Sequence, residues 1–128
     1  MVTVGNLMQK TPVTVDAGTS VVEAAKLMKA CNVESVLVAR QAQIIGILTD
    51  TDMVRRVVAT GADTQKTTVE QVMSAPILTI DENKTLLDAN DLMAKTHIRH
   101  LGVTQDGKLA GMISVRDLVL FLTNLPRK

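Results

Sequence analysis

The chain is one sequence unit written twice. Val4–Thr60 aligns with Val69–Leu125 at a constant offset of 65 residues and without a gap. Identical residues recur through the alignment, among them Met8 and Met73, Asp16 and Asp81, Gly46 and Gly111, and Asp52 and Asp117. An isolated unit of about 60 residues can bury only a marginal core. We therefore expect the two copies to pack together, and we expect function to arise between them.

Composition and charge exclude several classes of partner. The chain has 128 residues, of which 46% are hydrophobic and 21% charged, as in a globular rather than a disordered protein. Its formal net charge of +1 gives no bulk attraction to nucleic acid or to an anionic membrane. Phe121 is the only aromatic residue, so no stacking surface for nucleic-acid bases is expected. No signal-peptide pattern or membrane-length apolar run is present, which predicts a cytoplasmic protein.

The hydrophobic pattern predicts the same order of elements in each copy: strand, helix, strand, strand, helix. The strands are expected at Val13–Val15, Ser35–Ala39 and Ile44–Leu48, and again at Leu78–Ile80, His100–Thr104 and Leu109–Ile113. The first helices begin at the capping patterns of Ser20 and Thr85, and the second helices are expected over Thr51–Ala59 and Arg116–Leu122. The pair Asp106-Gly107 predicts a hairpin turn, for which Arg40–Gln43 is a weaker signal. The predicted fold class is α/β of the α+β type.

A short motif recurs where the last strand of each copy meets the last helix. It reads Gly46-Ile-Leu-Thr49-Asp-Thr-Asp52 in the first copy and Gly111-Met-Ile-Ser114-Val-Arg-Asp117 in the second. With the repeated β-α-β-β-α order, the chain resembles a tandem pair of CBS domains, the family named for cystathionine β-synthase. The resemblance implies one domain over residues 1–63 and another over 64–128. Together they would form a Bateman module with pseudo-twofold symmetry, whose two clefts between the copies often hold adenine nucleotides.

The motif residues are also suited to a nucleoside by their own chemistry. The two glycines would let a flat ligand approach the backbone closely. The hydroxyls of Thr49 and Ser114, with backbone N–H groups of the following helix, could hold phosphate or ribose oxygens. The carboxylates of Asp52 and Asp117 could accept two hydrogen bonds from a ribose diol. These four side chains are the first candidate ligand contacts.

The same residues have a purely structural alternative. Thr49-x-x-Asp52 and Ser114-x-x-Asp117 are capping-box patterns, in which the hydroxyl and the carboxylate satisfy N–H groups at the start of a helix. Spacing alone favours this alternative. The repeat and the family resemblance favour ligand contact for at least one copy, with capping as a compatible second role.

The copies differ just before their second strands. Arg99-His100 in the second copy replaces Glu34-Ser35 in the first, and the resemblance implies that this region faces the ligand's phosphates. A guanidinium can pair with a phosphate, whereas Glu34 would repel it. Arg116, within the second motif, could also reach a phosphate. We therefore predict unequal clefts, with the phosphorylated ligand preferring the one bordered by Arg99 and His100, the alternative being that Arg99 is a solvated surface cation.

The sequence contains no pattern that indicates catalysis. It has no P-loop, no glycine-rich fingerprint and no recognisable nucleophile arrangement, so we expect no enzyme activity and no required cofactor. His97 and His100 lack further metal ligands nearby in sequence, so no metal site is expected. The first hypothesis is a regulatory sensor that binds AMP, ADP, ATP or another adenosyl compound.

The second hypothesis is an interaction module without a ligand. The apolar second helices, Met53–Val58 and Leu118–Leu122, would then mediate homodimerisation. The family resemblance likewise implies a pair of chains joined through helices. In either case an effector protein would be the regulated partner, with no role for nucleic acid or a membrane.

Overall fold

A computed structural model describes residues 1–125, and residues 126–128 of the predicted second domain lie outside the described residues. The first part of the chain forms α1 (Val4–Leu7), β1 (Thr14–Asp16), α2 (Val21–Cys31), β2 (Ser35–Arg40), β3 (Gln43–Thr49) and α3 (Asp50–Asp52), which continues as a π-helix over Met53–Val58. The second part forms α4 (Val69–Val72), β4 (Thr79–Asp81), α5 (Leu86–Thr96), β5 (His100–Gln105), β6 (Lys108–Ser114) and α6 (Val115–Thr123). The predicted order of strands and longer helices is confirmed, while α1 and α4 are additional short helices.

These elements form two compact units. The first-repeat unit is Pro12–Ile77, and the second-repeat unit combines Met1–Thr11 with the chain from Leu78 onward. Each unit therefore contains the short helix that begins the other sequence repeat, called here its leading helix: α4 belongs to the first-repeat unit and α1 to the second-repeat unit. The boundary predicted between residues 63 and 64 divides the sequence repeats, whereas the compact units follow the packing of these helices.

Each unit contains one three-stranded sheet of the same topology. In the first-repeat unit β1 pairs parallel to β2, and β2 pairs antiparallel to β3; β4, β5 and β6 repeat this arrangement. Val38 lies opposite Gly46 and Val103 opposite Gly111, and a β-bulge follows each of these pairs. A mixed α+β fold is thus present in both repeats, as predicted.

Each unit has its own hydrophobic core beneath its sheet. In the first-repeat unit the sheet contributes Val36, Val38 and Leu48, α2 contributes Val21, Ala24 and Met28, and α4 contributes Val69 and Val72. In the second-repeat unit the corresponding residues are Leu101, Val103 and Ile113 from the sheet, Ala89 and Met93 from α5, and Val4 from α1. Val4 and Val69 are both fully buried. The short leading helices are therefore part of the cores, which explains their unit membership.

The sequence signals for helix ends are confirmed. Ser20 accepts a hydrogen bond from the Glu23 N–H at 3.3 Å, and Thr85 and Asp88 form a reciprocal capping box. The long helices α2 and α5 are followed by the C-cap residues Asn32 and His97, both in the left-handed conformation. His97 therefore has a defined structural position, as the C-cap of α5.

Both hairpins turn through two residues with positive φ. In the second-repeat unit these are Asp106 and Gly107, at 52° and 80°, so the Asp-Gly prediction is confirmed. In the first-repeat unit they are Gln41 and Ala42, at 51° and 66°. The first hairpin adopts the same turn without glycine, which is why its sequence signal was weak.

Candidate functional site

The predicted site residues of each repeat meet at one edge of its sheet. In the second-repeat unit His100 lies opposite Ser114 in the strand register, and the Val115 N–H donates to the Arg99 carbonyl oxygen at 3.0 Å. In the first-repeat unit Ser35 lies opposite Thr49, and the Asp50 N–H donates to the Glu34 carbonyl oxygen, also at 3.0 Å. Within each unit, the start of the second strand and the strand-to-helix motif thus lie side by side.

The motif hydroxyls and carboxylates form complete capping boxes in both units. Asp52 Oδ2 accepts from the Thr49 N–H at 3.0 Å and from the Thr49 hydroxyl at 3.1 Å. Asp117 Oδ2 accepts from the same two groups of Ser114 at 2.9 and 3.1 Å. The structural alternative is therefore realised in both repeats. One oxygen of each carboxylate is committed to its helix start, so any ligand role depends on the other oxygen, Oδ1.

The Asp52 carboxylate is enclosed. Asp52 is only 5% exposed, and its Oδ1 accepts a hydrogen bond from the Ser74 hydroxyl at 2.8 Å. The Arg56 Nε atom lies 3.8 Å from the same oxygen. Arg56 also donates through Nη1 to the Met73 carbonyl oxygen at 2.9 Å. A buried carboxylate with partners on both oxygens and a nearby cation is well satisfied by the protein itself.

The Asp117 carboxylate is more open. It is half-buried, and its Oδ1 accepts from the Gln9 side-chain amide at 3.2 Å. Gln9 itself is exposed. Ser74 and Gln9 occupy the same position in the repeat alignment, because they are separated by the offset of 65 residues. The two aspartates therefore differ in the length and exposure of the side chain that covers Oδ1.

Sequence reasoning missed both Ser74 and Gln9. Each lies just after a short leading helix, more than twenty residues from the aspartate that it contacts, and in the second repeat the separation is 108 residues. The available signal was the recurrence of Met8-Gln9 and Met73-Ser74 at the repeat offset. Nothing in the local sequence says that these segments lie beside the motifs.

The motif glycines have a different role from the one predicted. Each glycine lies within the last strand of its sheet. The segment just after the leading helix pairs with the residue that follows the glycine: Gln9 exchanges two backbone hydrogen bonds with Met112, and Ser74 does so with Ile47. A Cβ atom on Gly111 would lie 2.5 Å from the Gln9 carbonyl oxygen, and one on Gly46 would lie 2.5 Å from the Met73 sulfur. The prediction that these glycines admit a flat ligand is wrong, because protein atoms fill the space.

The two motifs differ in the charge of their surroundings. Around the first motif, the acids Glu34 and Asp50 accompany Asp52, and Arg56 offsets only part of their negative charge. At the corresponding positions of the second-repeat unit stand Arg99 and an uncharged valine, and Arg116 adds a second guanidinium one residue before Asp117. Arg99 and Arg116 are exposed, and His100 is half-buried. An anion near the motif would therefore be repelled in the first-repeat unit and attracted in the second.

Residues 1–125 contain neither a metal-binding cluster nor a membrane-spanning helix. In this described part of the chain, no group of three or more His, Cys, Asp or Glu side chains is arranged to hold a metal ion. Over the same residues, no helix combines the length and the apolar character needed to cross a membrane.

Comparison with curated proteins identifies relatives that match most of the chain. A CBS domain-containing protein of Bacillus subtilis is 37% identical over 94% of this chain and 85% of its own length. An uncharacterized protein of Methanocaldococcus jannaschii is 33% identical, and one of Methanopyrus kandleri is 30% identical. The chain spans only 62% and 61% of these two relatives.

Solved structures show the same fold. An uncharacterized conserved protein from Pyrococcus horikoshii matches with a TM-score of 0.90 at 28% identity, covering 99% of this chain and 96% of its own. A hexameric CBS-CP12 protein from bloom-forming cyanobacteria matches with a TM-score of 0.83 at 29% identity, covering 99% and 76%. The CBS domain pair of protein MJ0100, in complex with 5′-methylthioadenosine and S-adenosyl-L-methionine, matches with a TM-score of 0.83 at 22% identity, covering 96% and 97%.

The family model for the CBS domain matches residues 4–59 and again residues 69–124. The two matches reproduce the internal repeat and leave only the connection and the chain ends uncovered. Fold, motif and sequence therefore agree, and this chain belongs to the CBS domain family as a tandem pair.

Proposed function

We propose that this protein is a regulatory module that senses an adenine nucleotide or another adenosyl compound, and that the second motif provides the main contacts. The observation that carries the proposal is the contrast in charge between the motifs. Arg99 and Arg116 accompany Asp117, whereas Glu34 and Asp50 accompany Asp52. A guanidinium group recognises phosphate or carboxylate oxygens through several N–H donors, and a carboxylate recognises a ribose diol.

The MJ0100 pair supports the ligand class only at the level of the fold. Its complex indicates that a CBS pair of this architecture can hold adenosyl compounds. At 22% identity, its ligands do not identify the ligand of this chain. AMP, ADP, ATP and S-adenosylmethionine are therefore the candidates to compare. The sites proposed for this chain are Ser114, Asp117, Arg99, His100 and Arg116, with Thr49 and Asp52 as the weaker counterpart.

Regulation would follow from differential binding. A ligand that favours one conformation of the protein shifts the population toward that conformation, and a partner that distinguishes the conformations responds. The proposed role is regulatory, without catalysis and without a required cofactor. The effector protein and the cytoplasmic location remain predictions from the sequence.

A second proposed function is interaction between chains through the last helices. Val54 and Val58 are 61% and 72% exposed on the π-helical segment, and Val119 and Leu122 are 50% and 62% exposed on α6. Apolar side chains that project into solvent at helical spacing are typical of surfaces that become buried on association. The cyanobacterial CBS-CP12 protein is hexameric, so a relative with this fold assembles. We propose a homodimer for this chain.

The ligand proposal is tested by isothermal titration of the full chain with each candidate compound. We expect one ligand per chain, and we expect Asp117→Ala to abolish binding because the ribose diol loses its acceptor. Asp88→Ala is the matched control, since Asp88 forms a similar capping box with Thr85 at the start of a different helix, α5. It should leave the affinity unchanged.

The two proposed functions give different results in this experiment. If the chain only mediates association, Asp117→Ala should lower the free energy of unfolding by about 1 kcal/mol, as the loss of a helix cap does, and no compound should bind. Two equivalent sites per chain would contradict the proposed preference for the second motif. Light scattering of Val58→Lys, which places a charge on the exposed apolar face, tests the homodimer independently.

A further inference from the structure

We infer that Gln9 is an internal competitor for Asp117 and thereby sets the affinity of the second motif for a ribose-containing ligand. This inference rests on the function proposed above. The Gln9 amide donates to Asp117 Oδ1 at 3.2 Å, and Oδ2 is already occupied by the backbone and hydroxyl of Ser114. With both acceptor positions of Oδ2 filled, a diol must direct both hydroxyls to Oδ1. Oδ1 also has two acceptor positions, so the diol must displace the Gln9 amide from one of them.

The geometry permits this exchange without a change of backbone. Gln9 is exposed and its side chain has three rotatable bonds before the amide. Its backbone is held by the reciprocal hydrogen bonds with Met112, at 2.8 and 3.0 Å. Only the side chain has to rotate into solvent, where its amide regains hydrogen bonds with water. The cost of opening is therefore close to the net strength of one neutral-to-charged hydrogen bond.

The first-repeat unit lacks this means of opening. Ser74 covers Asp52 Oδ1 with a short side chain at 2.8 Å, and its backbone is held by Ile47 through hydrogen bonds of 2.8 and 3.0 Å. Asp52 is 5% exposed, so a ligand would have to displace packed atoms as well as the hydroxyl. The difference between Gln9 and Ser74 at one repeat position therefore separates a carboxylate that can exchange its partner from one that is closed.

The inference also predicts how ligands are distinguished. A ribose presents two adjacent hydroxyl donors and requires both acceptor positions of Oδ1, so the Gln9 amide must leave. A 2′-deoxyribose presents only one and can use the second position of Oδ1 without displacing Gln9. Removing the Gln9 amide should therefore favour ribonucleotides selectively. If Gln9 had a purely structural role, its substitution would change the affinity for the ribonucleotide and for the deoxyribonucleotide to the same extent.

The test is titration of the full-length chain and its variants with AMP, ADP and ATP, each beside its 2′-deoxy form. Gln9→Ala should tighten ribonucleotide binding roughly ten-fold, the factor that corresponds to a net hydrogen bond to a charged group of about 1.5 kcal/mol. It should leave the affinity for the deoxy form nearly unchanged. Gln9→Ser, which introduces the short donor found at Ser74, should bind no more tightly than the wild type. Lys10→Ala, at the neighbouring exposed position, is the control.

The outcomes separate the inference from the proposed function. Weaker binding by Gln9→Ala would mean that Gln9 contacts the ligand directly, and unchanged binding would mean that it does not compete; either result overturns the inference while nucleotide binding stands. If neither the wild type nor any variant binds any of the nucleotides, both the proposed function and the inference fail. Thermal unfolding of each variant verifies that the fold is retained.

Discussion

The two units share a plan but hold their leading helices differently. In the first-repeat unit, Glu70 of α4 forms an ion pair with Arg40 at the end of β2, and Arg56 donates to the Met73 carbonyl oxygen just after α4. The counterparts of these three charged residues in the second-repeat unit are Gly5, Gln105 and Phe121. None of these side chains can form an ion pair. Helix α1 is therefore held by packing and backbone hydrogen bonds where α4 has charged contacts in addition.

This difference shows which features a duplication preserves. Both repeats keep the glycine in the last strand, the methionine packed beside it, the capping aspartate and the bulge within the second strand. These features depend on shape and on backbone geometry, which tolerate little change. The charged contacts at the surface have diverged, because an exposed ion pair contributes little to stability and can be lost without refolding the core.

The last helices differ in backbone form as well. Met53–Val58 is π-helical, and the Ala59 N–H donates to the Val54 carbonyl oxygen, five residues earlier. Helix α6 is α-helical over the corresponding region. The repeat alignment has no gap here, so the wider turn does not come from an inserted residue. π-helical turns recur at functional sites in other proteins, and this one carries Arg56 beside Asp52.

The largest expected effect concerns the shared glycines. Gly111→Ala should lower the free energy of unfolding by about 3 kcal/mol, because its Cβ atom meets the backbone oxygen of Gln9. Gly46→Ala should cost about 2 kcal/mol, since its Cβ atom meets the flexible end of Met73 first and the Ser74 carbonyl oxygen only at 2.9 Å. Urea denaturation measures both. Gly18→Ala is the control, because its Cβ atom would make only ordinary contact. Equal stability of the wild type and Gly111→Ala would contradict the packing described here.

The next effect concerns the charged contacts that only the first-repeat unit has. Arg56→Met should destabilise the protein by about 1 kcal/mol, because the Met73 carbonyl oxygen and Asp52 lose a charged partner while the apolar stem is kept. Arg55→Met removes an exposed charge from the adjacent position and is the matched control. Chemical unfolding of both variants measures the difference. If Arg55→Met and Arg56→Met lose the same stability, the Arg56 contacts do not stabilise the segment just after α4.

Substitutions in the two hairpin turns should change the stability of the protein less, and in opposite directions. Ala42→Gly should stabilise the protein by about 0.5–1 kcal/mol, because glycine adopts positive φ without the steric cost of a side chain. Gly107→Ala should destabilise it by about 1 kcal/mol at the corresponding turn, where no neighbouring atom interferes. Thermal unfolding of the two variants would sharpen the comparison. A decrease in stability for Ala42→Gly would show that Ala42 has a role beyond the turn.

The smallest expected effect is a pH-dependent contribution to stability from the acid in the first turn of α5, which differs from its counterpart in α2. The hydrogen bond from the Thr85 backbone N–H, followed by that from its hydroxyl, lowers the pKa of Asp88. The ionised carboxylate therefore stabilises the folded state at neutral pH, and this contribution is lost as the pH falls through the lowered pKa. In the first-repeat unit the corresponding acid is Glu23, which pairs with Lys26 at 3.3 Å.

Urea unfolding of the wild type and Asp88→Asn tests this effect between roughly pH 7 and pH 2. The wild type should be more stable at neutral pH, and its advantage should decrease as Asp88 becomes protonated. Asp91→Asn, at an exposed position of the same helix, accounts for the simple removal of a charge. A constant difference between wild type and Asp88→Asn across the range would contradict the assignment.

Much of the fold could be predicted because its signals are local. The capping patterns at Ser20 and Thr85, the Asp106-Gly107 turn and the alternating strands are set by neighbouring residues, and the repeat provided each of them twice. The motif aspartates were found for the same reason. The π-helical turn was not predicted, because α- and π-helical periods differ little over six residues.

The sequence by itself determined that two copies of a β-α-β-β-α unit are present, where their helices begin, and that the second motif carries more positive charge than the first. Only the tertiary structure decided which leading helix completes which core, what fills the space beside the motif glycines, and which side chain covers each aspartate. Those outcomes depend on contacts between residues far apart in the chain. Such contacts arise from packing and loop closure, which leave no pattern in the local sequence.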